Sequence, residues 1–274
     1  MTAKGTPGSG DCPDRDGGER IPVQTGGAPE LSFPWAAPSW VKPGTAAENA
    51  RFLAGRVPEI GLCMFEAESS ARMPETELPR GLADLPLRWH AHLPSDLPGQ
   101  RDLAAGAGAA SAQGARAAEL ALAAWRRAAW LEAFFRVWRS AGENPRDIAL
   151  ENVRGAPFGL PGAPEGADEA ALCLDMAHTL AYGQEGDSMR PDILARVRLL
   201  HWSAPGPAGP DGTPRDRHLP LTGLTPVQKD WLRRVWARRA LPLLPADAAH
   251  LVEVFDWEGI LLSLPELGRI LGRA

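Results

Sequence analysis

The run ALCLDMAH, residues 171–178, decides how the chain is read. Four apolar residues, Ala171 to Leu174, lead directly into Asp175, and His178 follows three positions later. A short, uninterrupted apolar run is what a strand buried on both faces of a parallel sheet requires, because neither face meets water. An aspartate at its C-terminal end, with a histidine in the following turn, brings two ionisable groups to neighbouring positions where the strand stops.

The same design recurs on both sides. LSFPW (Leu31–Trp35) is a weak first strand; EIGLCMFE (Glu59–Glu66), PLRWHAHL (Pro86–Leu93), DIALENV (Asp147–Val153), RVRLLHW (Arg196–Trp202) and HLVEVFDW (His250–Trp257) follow. Helices separate them. Thr45–Arg56 opens on a capping box, with Thr45 as cap and Glu48 reaching back. Ala115–Arg139 carries apolar residues at helical spacing, Thr225-Pro226 starts a helix that runs to Arg239, and Ser263–Leu271 closes the chain. Strands alternating with helices predict a parallel α/β fold, here a TIM-type (β/α) barrel. The seven visible strands are one short of a standard barrel. The gap lies between Leu93 and Asp147, which hold the low-complexity segment Ala104–Gly114 and one long helix. Residues 1–30, rich in Gly, Pro, Asp and Thr, predict a disordered tail, and residues 31–274 a single barrel domain.

Composition narrows the function. The 274 residues carry a net charge of −5, without the basic face that a general grip on nucleic acid needs. Cys12, Cys63 and Cys173 have no CxxC spacing. Cys63 and Cys173 sit in apolar runs and read as small buried hydrophobes, against a disulfide framework or a thiolate zinc site. The N-terminus lacks an apolar leader core, and the apolar stretch Ala117–Trp138 is broken by Arg126, Arg127, Glu132 and Arg136. The expected location is the cytoplasm.

The informative pattern is where the polar residues fall. Glu66, His92, Glu151, Asp175, His201 and Glu253 each close, or lie near the close of, an apolar strand run. In a parallel barrel those ends surround one mouth, the place where active sites of this fold sit. Ionisable groups there are costly to bury unless they pair or share a cation. Asp216-Arg217-His218 adds a D-x-H pair after the Gly/Pro-rich loop Ser203–Thr213, and alternate residues of an extended stretch point the same way. Each residue has a plainer reading alone: His201 as a hydrogen-bonded core residue, Glu66 as a rim salt bridge, His178 as a helix cap. His90 is expected on the face opposite His92, in a structural role. Together they predict a metal set of His92, Glu151, Asp175, His178, His201, Asp216, His218 and Glu253, with Glu151 and Glu253 catalytic. Imidazole with carboxylate suits zinc, manganese or iron better than calcium. The expected cofactors are divalent ions, zinc or manganese, one to three per chain. Of the ten tryptophans, those on helices read as packing, whereas Trp89, Trp202 and Trp257 neighbour the candidate ligands. Glu66, Trp202 and Tyr182 are candidates for substrate contact.

Glu151 in LEN, the DMAH motif of Asp175 and His178, His201, the Asp216/His218 pair and Glu253 resemble, in that order, the xylose-isomerase-like TIM-barrel superfamily that contains endonuclease IV. The set Glu151, Asp175, His201 and Glu253 is similar to the single-metal site of its sugar epimerases. The added histidines and the D-x-H pair are similar to the multinuclear zinc site of its endonuclease branch. Closer still is the similarity to the cobamide-remodelling phosphodiesterases. It is carried by PSWVKPGTAAENARFLAG, EIGLCMFE, HAHLPSDLP, ALENVRG, LCLDMAHTLAYGQ, RLLHW and DRHLPL, spanning Pro38 to Leu221, with Glu253 beyond. The resemblance implies hydrolysis of the cobamide nucleotide loop to cobinamide phosphate and an α-riboside, with a small-molecule substrate and no nucleic acid or membrane partner. One departure stands out: no histidine occurs between His92 and His178, where the endonuclease branch has a further metal-binding histidine on a further strand. A single-metal sugar isomerase or epimerase, a DNA-repair endonuclease and a non-catalytic corrinoid-binding relative stay open as alternatives.

Overall fold

The computed structural model describes residues 33, 35–64, 67–70, 72–92, 147–153, 170–210 and 215–273. The N-terminal tail, Glu66 and the long helix expected over Ala115–Arg139 lie outside them. The described chain forms a seven-stranded sheet: β1 (Trp35–Pro38), β2 (Glu59–Cys63), β3 (Arg88–His92), β4 (Ala149–Glu151), β5 (Ala171–Asp175), β6 (Val197–Trp202) and β9 (Ala249–Val252). The spatial order is β3-β2-β1-β9-β6-β5-β4, and every neighbouring pair is parallel.

The sheet is curled. Its edges are β3 and β4, and seven strands lying flat at ~4.8 Å spacing would separate those edges by about 29 Å. Yet His92 Nε2 at the end of β3 lies 3.2 Å from Glu151 Oε2 at the end of β4. The concave face is therefore an interior, and register assigns residues to it. Cys63 is paired with His92, Glu151 with Cys173, Asp175 with His201, and His201 with Leu251. His90 is paired with Gly61 and lies two residues before His92, so it shares the face of His92. That corrects the opposite-face expectation. His90 keeps a structural contact, its Nδ1 lying 2.8 Å from Glu59 Oε1.

The convex face packs against helices through Leu200, Trp202, Leu174 and Val252, all fully buried. Trp202 is thus a core residue rather than a pocket wall. It alternates with His201, meets Trp236 edge-on at 5.5 Å, and donates its indole N–H to His250 Nδ1. Trp89 and Trp257 also pack against the core, Trp257 edge-on to Phe52 at 5.5 Å.

Local chemistry sets the elements. The helix Ala46–Leu53 has the expected capping box of Thr45 and Glu48. Thr225 caps Pro226–Asp230 with Gln228, and that helix continues as a π-helical stretch, Trp231–Trp236, into Ala237–Arg239. Three boundaries differ from the sequence reading. The first strand starts at Trp35, because its central position between β2 and β9 selects the small Ala36 and Ala37, both fully buried. The last helix spans Trp257–Leu271, since Asp256 caps it by accepting from Gly259 N at 2.6 Å. Inside the expected loop Ser203–Thr213, β7 (Ala204–Gly206) pairs antiparallel with β8 (Arg215–Leu219). No helix among the described residues is long and apolar enough to cross a membrane.

Candidate metal centre

All eight predicted ligands meet in one connected cluster on the concave face. His201 Nδ1 is 3.0 Å from Glu253 Oε2, 3.3 Å from Glu151 Oε1 and 3.8 Å from Asp175 Oδ2. His92 Nε2 is 4.0 Å from Glu253 Oε1. One ligand atom from each of Glu151, Asp175, His201 and Glu253 falls within 4.8 Å of the others, and the same holds for His92, His201 and Glu253. Beside this lobe, Asp216 Oδ2 lies 3.0 Å from both His178 Nε2 and His218 Nε2. His218 Nδ1, 3.5 Å from Glu253 Oε2, joins the two lobes.

The chain holds these groups through the strand ends. β4 is staggered, so Glu151 lies level with Cys173 rather than with Asp175. Asp175 caps the helix Met176–Tyr182: Oδ1 accepts from His178 N at 2.6 Å, which leaves Oδ2 turned to the centre. His178 Nδ1 donates to Asn152 O at 2.7 Å. That bond orients the ring and turns Nε2 to Asp216 Oδ2, 3.0 Å away, so that Nε2 is the nitrogen a metal ion would take on displacing its proton. His218 adopts a φ of 45°, a left-handed conformation that costs energy for a residue with a Cβ and gathers at functional sites.

Two neighbours add aromatic surface. Tyr182 stacks on His178 with ring centroids 5.3 Å apart. Phe255, which the sequence did not single out, stands edge-on to His218 at 4.9 Å. The sequence also missed Asn152. Its Oδ1 accepts from Asp175 N at 2.7 Å, and its Nδ2 lies within hydrogen-bond reach of Asp175 O, Thr179 Oγ1 and Gln184 Oε1. The one sequence signal for it is an amide next to a strand-end glutamate.

The electrostatics are those of a cluster short of positive charge. Burial, with Glu151 and Glu253 nearby, pushes the Asp175 carboxyl up to about 7. Burial works against the charged form of His178, but Asp175, Asp216 and Glu151 overcome it and lift the imidazole to about 10. Glu151 is held well below the usual carboxylate range by His201 and His92 in spite of burial. Four carboxylates and four imidazoles thus balance through borrowed protons.

The residues fit a cation on a separate observation. Both ring nitrogens of His201, Asp175 Oδ2, Glu253 Oε2 and His218 Nδ1 are buried and have no hydrogen-bond partner among the described residues. An unsatisfied buried polar atom costs about 1–3 kcal/mol, and several are tolerated in one place when they share an ion. The imidazole–carboxylate donor set suits a first-row divalent metal. Cys173 is buried, as expected, and one ligand atom each of Glu151, Cys173 and His201 also lies within 4.8 Å of the others.

The molecule is therefore a curled parallel α/β protein with a buried carboxylate–imidazole cluster able to hold a metal ion. No protein-family model, curated protein or solved structure matches the chain.

Proposed function

We propose that the chain is a metal-dependent phosphodiesterase that opens the nucleotide loop of cobamides, giving cobinamide phosphate and an α-riboside. The curled seven-stranded sheet is read as an incomplete TIM-type barrel, and the setting as the cytoplasm. The observation that carries the hydrolase reading is the convergence of eight ligand-type side chains from strand ends, a helix and a hairpin far apart in sequence, five of their buried atoms lacking hydrogen-bond partners among the described residues. The choice of substrate is supported by the resemblance of the segments between Pro38 and Leu221, and the net charge of −5 speaks against nucleic acid.

A divalent ion held by Glu151, Asp175, His201 and Glu253 would supply Lewis acidity and positive charge at the phosphate. Around it the chain's own groups divide the work. Glu151 and Glu253, whose carboxylates lie 3.3 and 3.0 Å from His201 Nδ1, would take the proton of an attacking water. Asp216 holds His178 and His218 together, and these imidazoles would stabilise the leaving ribose oxygen as it gains charge. Cys173 and Leu251, both buried, lie beneath these groups.

One specific observation favours a second reading, a single-metal sugar isomerase or epimerase. The largest group among the described residues is Glu151, Asp175, His201 and Glu253, without the Asp216 lobe. Metal analysis and product analysis separate the two. Incubation of the full chain with cobalamin and zinc or manganese, followed by mass analysis, is expected to yield cobinamide phosphate. Glu151→Ala and Asp175→Ala are expected to lose bound metal and hydrolysis, and Asp216→Ala to lose hydrolysis. Intact cobamide after long incubation with metal-loaded protein would sink the phosphodiesterase reading. One ion per chain and an Asp216→Ala variant that still turns over a sugar would favour the epimerase.

A further inference from the structure

We propose that Cys173 is an additional metal ligand, a thiolate offered from the floor of the centre, and that it biases the centre toward soft divalent ions. The proposal rests on the metal-site reading above and extends it to a residue that reads, in sequence, as inert core.

Three placements lead to it. Cys173 lies two residues before Asp175 on β5, so both side chains enter the same interior. Its register partner on β4 is Glu151, which places sulfur and carboxylate side by side. One ligand atom each of Glu151, Cys173 and His201 lies within 4.8 Å of the other two. Glu151 and His201 thus belong both to this group and to the four-residue group that includes Asp175 and Glu253.

His201 supplies the independent pointer to a ligand. It is 1% exposed, and neither ring nitrogen has a hydrogen-bond partner among the described residues. A core histidine without a cation would satisfy at least one nitrogen from the backbone or a hydroxyl. The other interior cysteine, Cys63, behaves as a core residue should: its thiol donates to Gly61 O at 3.5 Å, and it belongs to none of the ligand groups.

The chemical consequence is selectivity. Carboxylate and imidazole alone accept manganese and zinc alike, whereas a thiolate favours zinc and cobalt over manganese and magnesium. On metal binding the S–H bond breaks, sulfur keeps the electron pair as the metal–sulfur bond forms, and the proton leaves to solvent. Its negative charge then joins those of Glu151 and Glu253, which further favours retention of a dication.

The test is optical and does not depend on turnover. Metal-free full-length protein is titrated with Co²⁺. A thiolate-to-cobalt charge-transfer band in the near ultraviolet is expected to grow together with the visible ligand-field bands. Cys173→Ser is expected to abolish the former and keep the latter, and Cys63→Ser to keep both. In zinc–manganese competition, Cys173→Ser is expected to lower the preference for zinc on the order of tenfold. Cys173→Ala, which introduces no hydroxyl, serves if the serine variant fails to fold. Ligand-field bands without the charge-transfer band, or a charge-transfer band that survives in the Cys173 variants, overturn this proposal and leave the metal centre standing. Absence of any cobalt spectrum overturns both.

Discussion

Asn152 shows what single residues contribute beneath the ligands. It is fully buried, and its side chain holds Asp175 from both sides, taking the backbone N–H and reaching the carbonyl. Its own carbonyl receives His178 Nδ1. Replacing it by leucine, of similar size but without polar atoms, leaves Asp175 N and Gln184 Oε1 without these partners. Each such loss costs about 1–3 kcal/mol, and loosened support of a ligand typically weakens metal binding about 10–100-fold. Asn152→Leu is therefore expected to lower the urea midpoint and, in isothermal titration, the zinc affinity. A variant matching the parent in both would show that Asp175 is held by something else. The ligands themselves were legible because each interrupts an apolar run: Glu151 after Ile148-Ala149-Leu150, Asp175 after Leu172-Cys173-Leu174, His201 after Leu199-Leu200. Asn152 interrupts nothing, and no periodicity marks an amide whose partners lie on a different strand and helix. Trp202 misled for the opposite reason. It neighbours a ligand in sequence, but alternation along β6 sends it to the convex side.

At the scale of elements, caps and apolar runs were readable, whereas anything decided by pairing partners was not. Thr45–Glu48 and Thr225-Pro226 are local chemistry, and both helices begin where they predict. β1 has no β-branched residue, and only its place between β2 and β9 makes it a strand. The β7–β8 hairpin hid in a Gly/Pro-rich stretch because its Gly206 and Arg215 are register partners across a loop. The seam between β9, β6 and the helix layer yields a prediction in pH. His250 Nδ1 accepts the Trp202 indole N–H, Phe33 stands edge-on at 5.1 Å, and the remaining charge nearby is Arg273. Burial, reinforced by Arg273, pushes the imidazole down to about 4. The folded state therefore prefers neutral His250, while the unfolded chain protonates it near 6.5. Between these values the unfolded chain binds more protons, so stability rises with pH. The contribution is fully present above pH ~6.5 and is lost as pH falls toward about 4, on the order of 3 kcal/mol in all. His250→Gln offers an acceptor that does not titrate. Its stability is expected to change less than the parent's across pH 6.5 to 4 in chemical denaturation. An unchanged slope would show that His250 is already charged in the fold.

For the whole molecule, the sheet and the site are one problem. The parallel pairing expected from the alternation of runs is found at every step of the seven-stranded sheet, and its two edges are β3 and β4, on either side of the stretch between Leu93 and Asp147 in which the sequence shows no strand. The curl was not readable, because it is a cumulative property of twist and stagger rather than of any one strand. It is nevertheless what makes the cluster, for it carries His92 from one edge to within 3.2 Å of Glu151 on the other. An ion shared by His92, His201 and Glu253 would tie the β3 edge to β6 and to the end of β9 across the interior, acting as a cross-link that exists only in the folded chain. Zinc at a hundredfold its dissociation constant should then stabilise the fold by about 2.7 kcal/mol. In a domain of this size that corresponds to a rise of several degrees in the unfolding temperature. Calorimetry of the metal-free protein, with and without zinc, is expected to show that rise, and a chelator is expected to reverse it. His92→Ala should lower the metal-free transition, since it removes a partner of the Glu151 carboxylate, and, measured against that lowered transition, should lose a large part of the zinc-dependent increment. A full increment in His92→Ala would mean that the ion does not bridge the sheet edges, and no increment in the parent would mean that the cluster is held together by protons alone.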